Sequence, residues 1–421
     1  MLMVSFYLFP IKFPILPTET FNTKNLMAGF GLLAFIYDSV RKRAMLFSRY
    51  TLISAVLAAL FSVWCLYSIT SANTYQMDYA TYIFSFIIWL CGAYGVYFLL
   101  RAYHDEVDIK ILTRYLAMVG VFQCIIAVLI DNVGAVSSFV DRIMYVPGDY
   151  YREHHRMFGL GAALDPGGIR FSVIQIMIAH DFSTNPSVRN NRLYQATDLI
   201  AFAIILIIGC VISRTTLVGS LLGIAYIIRS LIRMRRGGFI TVGMVQSFFW
   251  FFLVVAGIVF FAIYFYVHSD TFQQYLRFGF EAFFNWAETG DLSTGSTDVL
   301  ETMWIWPDDT HTWLFGRGTY GVFENDTDIG FCNFTFYCGL IGLTTFSIFF
   351  LYCHFAMVNK FRDFSITALL LVALTFIVWL KVTTDIFFID ALLFCIAGDY
   401  EDEEVGQDES TMIPDDAGVW E

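Results

Sequence analysis

The sequence has 421 residues, of which 57% are hydrophobic and only 15% are charged. Soluble globular domains carry about 25% charged residues, so this composition excludes an ordinary soluble enzyme or binding module. The formal net charge of −12 arises mostly at the C-terminal end, because residues 399–421 hold ten acidic groups and no Lys or Arg. The rest of the chain is nearly neutral, and no nucleic acid is expected as a partner.

Apolar segments follow one another along almost the whole chain. A helix that spans a membrane needs about 20 mostly apolar residues. About twelve segments approach this length, the first, second, sixth and last of them being short: 3–16, 26–40, 50–70, 80–100, 111–131, 168–181, 196–212, 217–232, 242–267, 329–356, 364–380 and 384–397. A signal peptide is the alternative for the first segment, but Pro10, Lys12 and Pro14 interrupt its apolar core. The sequence therefore predicts an all-α polytopic integral membrane protein.

The distribution of basic residues predicts the orientation of the chain. Fifteen of the 25 Lys and Arg residues lie in or beside alternate short connections. The positive-inside rule places these connections, together with both termini, in the cytoplasm. The two longest connections, about 132–167 and 268–328, are then outside the cytoplasm. We predict a transmembrane domain over 1–398 and an acidic, disordered cytoplasmic tail over 399–421.

Arg214 lies between the apolar segments 196–212 and 217–232, which are too close together for a soluble loop between them. This arginine is therefore expected close to the membrane face that is outside the cytoplasm. Burying a charge at such a depth costs free energy unless the charge faces a polar cavity or an anion. We therefore take Arg214 as a candidate functional residue. The alternative is that Arg214 anchors the helix ends by extending its side chain to lipid headgroups.

The first long connection combines glycines with arginines. Four glycines, at positions 159, 161, 167 and 168, would allow the backbone to approach a ligand closely. A helix that begins near Gly168 would direct free N–H groups and a positive dipole end toward an anion. Arg156 and Arg170 would add two full charges on the same membrane face as Arg214. We predict that both bind an anionic substrate, with headgroup anchoring as the alternative.

The second long connection contains the remaining candidate residues. Aromatic residues between Thr271 and Trp286 recur at helical spacing and predict a helix on the membrane surface. Arg317, between two glycines, is an accessible cation. The same stretch supplies two further substrate-binding candidates, His311 and Tyr320. It also supplies two carboxylates, Asp326 and Asp328, that can position or deprotonate a hydroxyl. Helix N-capping is the alternative role for the two carboxylates.

Four parts of the sequence together resemble a known family. They are Arg156–Arg170, the tip Ser213–Thr215, the segment LFGRGTYG over 314–321 and the run Thr327–Gly342. They are similar to the polymerases of O-antigen and capsule repeat units, which share a superfamily with the O-antigen ligases. The resemblance implies a GT-C-like helical bundle with a large extracytoplasmic loop and essential arginines. The ligases use a histidine in that loop, whereas Asp328 stands in the corresponding place here, which favours polymerase over ligase.

The resemblance implies a glycosyl transfer at the outer face of the bacterial cytoplasmic membrane. A hydroxyl of one undecaprenyl-pyrophosphate-linked repeat attacks the anomeric carbon of the growing chain, and undecaprenyl pyrophosphate leaves. The implied catalytic residues are Arg214, Arg317 and Asp328, and the implied substrate-binding residues are Arg156, Arg170, His311, Tyr320 and Asp326. Arginines can stabilise the charge on a pyrophosphate, so neither a metal nor a cofactor is expected. Membrane lipids and a chain-length regulator protein are further expected partners.

Two other functions remain open at this point. An O-antigen ligase would differ only in its acceptor. A transporter or flippase for a lipid-linked anionic substrate would also need arginines, but it is expected to have broken helices near the midplane in corresponding halves of the chain. The crowding of charged residues at one membrane face favours catalysis.

Overall fold

A computed structural model describes residues 1–14, 22–43, 48–145, 156–186, 188 and 191–235, and all of 249–398 except 251, 254, 255, 258, 259, 261, 262 and 362. The described chain is all-helical and contains no β-strand. The predicted acidic tail, 399–421, lies outside the described residues.

The helices follow in chain order as α1 (Leu2–Leu8), α2 (Thr23–Lys42), α3 (Arg49–Ala72), α4 (Tyr82–Arg101), α5 (Ile109–Asn132), α6 (Gly134–Ile143), α7 (Leu164–Thr184), α8 (Arg192–Ile212), α9 (Thr216–Arg235), α10 (Asp270–Gly279), α11 (Glu281–Thr289), α12 (Gly295–Thr302), α13 (Thr310–Phe315), α14 (Val322–Asn325), α15 (Gly330–Ala356), α16 (Ser365–Trp379) and α17 (Phe387–Gly398). In the described part of the chain, six are long and apolar enough to cross a membrane, namely α3, α4, α5, α8, α9 and α15. The coarse prediction of an all-helical protein with membrane-type helices is confirmed.

Several predicted segments fold differently from expectation. Within the described residues 1–14, the first predicted segment forms the seven-residue α1, which at about 1.5 Å per residue is too short to span a membrane. The segments 364–380 and 384–397 form helices at the expected places, α16 and α17, but both helices are shorter than the membrane-spanning length. The surface helix predicted over 271–286 is two helices, α10 and α11, which break at Phe280. Much of the predicted segment 242–267 lies outside the described residues.

Buried aromatic rings join the central helices. Phe346 of α15 stacks on Phe61 of α3, with ring centroids 4.1 Å apart, and its ring also lies parallel to that of Trp379 of α16 at 5.4 Å. All three side chains are fully buried. Because lipid tails are as apolar as the core, close packing of this kind is a main source of helix association in a membrane.

One end of the bundle, which we call the loop end, gathers the segments that contain the candidate residues. It is the end at which α8 ends and α9 begins. The start of α7 and the C-terminal side of α16 meet there, since Asp165 and Lys381 form an ion pair of 2.7 Å. The helix α10 packs against α8, and the start of α15 lies close to the backbone of Trp379 and Val382.

The helix α15 is broken near the loop end. Gly339 has φ 66° and ψ −178°, a conformation that an L-residue with a side chain rarely adopts. The carbonyl of Phe336 accepts a hydrogen bond from the N–H of Arg317 at 2.7 Å, and the carbonyl of Tyr337 accepts one from the N–H of Gly318 at 3.1 Å. The segment that contains Arg317 therefore satisfies backbone groups that the break releases from the helix.

Candidate functional site

Asp165 holds the tip between α8 and α9 against the start of α7. Its Oδ1 accepts hydrogen bonds from the hydroxyl of Thr215 at 2.5 Å and from Nζ of Lys381 at 2.7 Å. The hydroxyl of Ser213 is 3.4 Å from the same oxygen. Gly168 makes the close approach possible, because a Cβ at this position would lie 2.5 Å from Oγ of Ser213. The two residues on either side of Arg214 are thus fixed to α7.

Asp165 is held in its ionised form. Burial would raise the pKa of its carboxyl, but the charge and hydrogen bond of Lys381 and the hydrogen bond of Thr215 outweigh burial, so the pKa lies below its usual range. The positive charge of Arg156 acts in the same direction. Asp165 is consequently a fixed negative charge at the start of α7, where the helix dipole also favours an anion.

The guanidinium of Arg214 lies beneath the loop formed by α10, α11 and α12. Its Nε donates to the carbonyl of Phe278 at 3.0 Å, its Nη1 donates to the hydroxyl of Ser296 at 3.1 Å, and its Nη2 forms an ion pair of 2.6 Å with Glu281. Burial lowers the pKa of Arg214, although Glu281 opposes the shift. These contacts use three of the five N–H groups that an arginine can donate.

Arg156 and Arg214 meet at one aromatic ring. The guanidinium carbons of Arg214 and Arg156 lie 4.4 Å and 5.1 Å from the centroid of the Phe278 ring. Nε of Arg156 is buried and has no hydrogen-bond partner among the described residues. The ring attracts both cations, yet the two positive charges raise each other's electrostatic energy. Glu281 offsets the charge of Arg214, and an anionic ligand would offset that of Arg156.

A cavity of about 320 Å³ opens beside Arg156. Its walls come from α5, α6, α10 and the segment that leads into α7, and they include Asp131, Ser137, Met157, Phe158 and Tyr275. The hydroxyl of Tyr275 donates to Asp131 at 2.6 Å. The cavity thus combines an arginine, a hydrogen-bonded carboxylate and an apolar wall, which is the usual composition of a small-molecule site.

The expectation that a helix begins near Gly168 is wrong. The helix α7 begins at Leu164, four residues earlier than expected, so the N–H groups around Gly168 are not at its start. The carboxylate of Asp165 already lies in the first turn. Arg170 is held elsewhere, since its Nη1 donates to the carbonyl of Pro166 at 2.8 Å and its guanidinium lies 5.6 Å from the Phe388 ring. Like that of Arg156, its Nε is buried without a described hydrogen-bond partner.

Asp328 is electrostatically linked to the Asp165–Lys381 pair. Burial and the negative charge of Asp165 raise the pKa of Asp328, while Lys381 opposes the shift. Ile329 is the N-cap residue of α15 and no side chain caps this helix, so the structure does not show the capping alternative for Asp328. Asp326 follows α14 in a left-handed conformation with φ 53° and does not cap α15 either.

Arg317 belongs to a separate polar group. Its Nη2 donates to Oδ1 of Asn325 at 3.0 Å and its Nε donates to Thr319 at 2.9 Å. Its guanidinium also lies 4.5 Å from the Phe336 ring. The hydroxyl of Tyr320, three residues further along the chain, is hydrogen-bonded to Thr383. Thr383 belongs to the same segment, 381–385, as Lys381, so this polar group and Lys381 are joined through that segment.

His311 is exposed, and its ring lies 5.1 Å from that of Phe315. No described contact links it to Arg214 or to Asp328. The structure thus brings Arg156 and Arg214 together and links Asp328 to the same end of the bundle, while Arg170, Arg317 and His311 have other neighbours.

Sequence reasoning did not identify four of the residues that form this site, which are Asp165, Phe278, Glu281 and Lys381. Lys381 carried a usable signal, because it is a charge between two apolar segments, as Arg214 is. Phe278 and Glu281 lie within the predicted surface helix, where aromatic and acidic residues are common and do not indicate a site. Nothing in the local sequence indicates that Asp165 is paired with a residue 216 positions away.

A scan against protein-family models, a search of curated proteins and a search of solved structures found no match to this chain.

Proposed function

We propose that this protein polymerises undecaprenyl-pyrophosphate-linked oligosaccharide repeats into O-antigen, capsule or another exopolysaccharide. The observation that carries the proposal is the pair Arg156 and Arg214 on one ring, together with a buried Nε in Arg156 that has no hydrogen-bond partner in the described part of the chain. Two clustered guanidiniums match the oxygens of a phosphate or pyrophosphate. The resemblance of the surrounding sequence to repeat-unit polymerases supplies the reaction.

In the proposed reaction, a hydroxyl oxygen of the acceptor repeat forms a bond with the anomeric carbon of the donor chain. The bond between that carbon and the pyrophosphate oxygen breaks, and the electron pair leaves with undecaprenyl pyrophosphate. Arg156 and Arg214 stabilise the negative charge that accumulates on the leaving group. Arg170 and Arg317 contribute to binding of the lipid-linked substrates from their own positions.

Asp328 receives the proton of the acceptor hydroxyl in this proposal. Its raised pKa makes it a better base than an ordinary aspartate, because proton transfer is more favourable as the pKa approaches the working pH. Asp165 is unsuited to the role, since its ion pair with Lys381 lowers its pKa. Asp165 instead keeps Lys381 and the Arg214 tip in place. His311, Tyr320 and Asp326 are proposed to contact the sugars.

The remaining parts of the proposal concern location and topology. We place the protein in the bacterial cytoplasmic membrane, with both termini in the cytoplasm and the loop end at the outer face. Lipid-linked repeats are both donor and acceptor, and a chain-length regulator protein is a further partner.

An O-antigen ligase and a transporter are the alternatives. The structure has helix interruptions at Gly339 and at 381–385, a feature that transporters also use. A transporter with inverted repeats is expected to have broken helices in corresponding positions of its two halves. Here both interruptions lie in the last quarter of the chain. The buried hydrogen bond between Nδ1 of His354 and Oδ1 of Asp390, 2.7 Å long, is the observation that most favours transport, because ionisable groups within a membrane often mark proton pathways.

Product analysis in nanodiscs or liposomes distinguishes these functions. Purified protein supplied with lipid-linked repeat alone should produce glycans of two or more repeats. Arg156→Ala and Arg214→Ala should each abolish most of this product, while Arg142→Ala, which removes an exposed arginine of α6, should not. Movement of unchanged substrate between leaflets would establish a transporter, and elongation only after addition of lipid A core acceptor would establish a ligase.

A further inference from the structure

Three tryptophans form an aromatic patch at the loop end, which we call the tryptophan patch and define as Trp304, Trp306 and Trp313. The rings of Trp306 and Trp313 are stacked, with centroids 5.2 Å apart and planes at 15°. The Trp304 ring lies 5.9 Å from that of Trp306. Trp304 and Trp306 are 43% and 37% exposed, a large fraction for side chains that lose free energy in contact with water.

The tryptophan patch is held next to Asp328. The hydroxyl of Thr327 donates to the carbonyl of Met303 at 2.6 Å, so the residue before Asp328 is fixed to the residue before Trp304. Thr327 is fully buried, and its carbonyl accepts a hydrogen bond from Asn333 at 2.8 Å. The segment that contains the tryptophan patch is therefore held beside the segment that contains Asp328.

The segment that contains the tryptophan patch, residues 300–316, is negatively charged. Residues 300–316 contain Glu301, Asp308 and Asp309 and no Lys or Arg, and all three carboxylates are exposed. Asp309 accepts a hydrogen bond from the backbone of Thr312 at 2.8 Å, which lowers its pKa and keeps it ionised. Anionic lipid headgroups attract basic segments and repel acidic ones, so this surface is poorly suited to lie on an anionic membrane.

We propose that the tryptophan patch binds the growing glycan as it leaves the site, with pyranose rings stacked on Trp304 and Trp306 and their hydroxyls donating to the flanking carboxylates. The apolar C–H face of a sugar ring matches the indole face, and ionised carboxylates accept hydrogen bonds only. This inference rests on the proposed function, because the ligand is the product of that reaction. Anchoring of the patch in the lipid is the competing occupant.

Retention of the glycan at this surface would make elongation processive. The proposal therefore predicts that the double variant Trp304→Ala/Trp306→Ala shortens the mean chain at least twofold in the reconstituted reaction, while the rate of the first linkage stays within about twofold. Trp286→Ala is the matched control, since Trp286 is 54% exposed on α11 and lies outside the patch. An unchanged length distribution in the double variant would overturn the inference and leave the proposed function intact.

A second measurement tests the competing occupant without requiring catalysis. Tryptophan fluorescence of the protein in nanodiscs is compared with and without lipids that carry a brominated acyl chain, for the wild type and for Trp304→Phe/Trp306→Phe. If the patch faces a glycan and not lipid, the fraction of fluorescence quenched should not fall when these two tryptophans are removed. A fall would show that the patch lies in the membrane and would overturn the inference. Failure of the wild type to elongate would instead count against the proposed function.

Discussion

The substitution Arg214→Ala tests whether this arginine acts on a ligand or only joins α9 to α10–α12. It removes one ion pair and two hydrogen bonds. The side chains of Arg214 and Glu281 are 21% and 28% exposed, so their pair lies between a surface pair and a buried one. We expect a loss of about 1–3 kcal/mol in the free energy of unfolding. Loss of a preorganised charge at the leaving group should lower kcat by about 10²–10³.

Glu281→Gln provides the matched comparison, because it breaks the same ion pair from the other side. It should lower stability to a similar extent, but it leaves Arg214 in place and removes an anion that competes for it. We therefore expect elongation within about threefold of the wild type, or faster. Arg214→Lys should recover only a small part of the activity, since an ammonium group lacks the planar fork that contacts two oxygens of a phosphate.

The assay measures elongation of lipid-linked repeat in nanodiscs at matched amounts of folded protein, with thermal unfolding recorded in parallel. A difference of at least 30-fold between Arg214→Ala and Glu281→Gln is the expected outcome. If both variants lose the same activity in proportion to their loss of stability, Arg214 is a structural residue and the reasoning is refuted.

Three further predictions concern stability and topology. The pKa of Asp165 is lowered in the folded protein, so its contribution to stability is present above the ordinary pKa of about 3.9 and is lost as the pH falls through the lowered pKa. Thermal unfolding measured from pH 7 to pH 3 should therefore show a loss of stability with acid in the wild type, and a smaller loss in Asp165→Asn. Gly339→Ala should lower the unfolding temperature strongly, since its Cβ would lie 2.3 Å from the carbonyl oxygen of Leu314 at a positive φ, whereas Gly29→Ala, with open space around its Cβ, should have little effect; equal effects would contradict the break in α15. An impermeant thiol reagent added outside cells should label single cysteines introduced at positions 290–315 but not at 401–421, and labelling of the tail would reverse the proposed location of the C terminus.

The sequence predicted those features that are visible within one short window. The six long apolar helices follow from hydropathy alone, and Arg214 is conspicuous because its neighbours on both sides are apolar. The break at Gly339 was not predicted, because the surrounding run stays apolar from Phe331 to Phe355 and matches one continuous span. Only the tertiary contact with the segment that contains Arg317 shows that the helix is interrupted.

The pairing of charges was beyond sequence reasoning for a similar reason. Asp165 is unremarkable beside a helix end, and Lys381 is visible only as a charge between two apolar segments. Neither residue indicates that their ion pair joins α7 to the C-terminal side of α16. Phe278 is one of many aromatic residues in its helix, and its contact with both Arg156 and Arg214 depends on how α10 crosses the end of α8. Local periodicity determines which residues share a helix face, but it does not determine which helices meet.

The stoichiometry of the reconstituted reaction tests the central claim most directly. Protein in nanodiscs is given undecaprenyl-pyrophosphate-linked repeat with neither nucleotide nor added metal, and glycan and lipid products are quantified by mass spectrometry. The account predicts one undecaprenyl pyrophosphate released for every linkage formed, with Asp328→Asn slowing linkage formation more than it weakens substrate binding. Elongation that ceases on addition of a chelator would contradict the proposed arginine-based mechanism. Substrate that remains one repeat long with wild-type protein would contradict the proposed function itself.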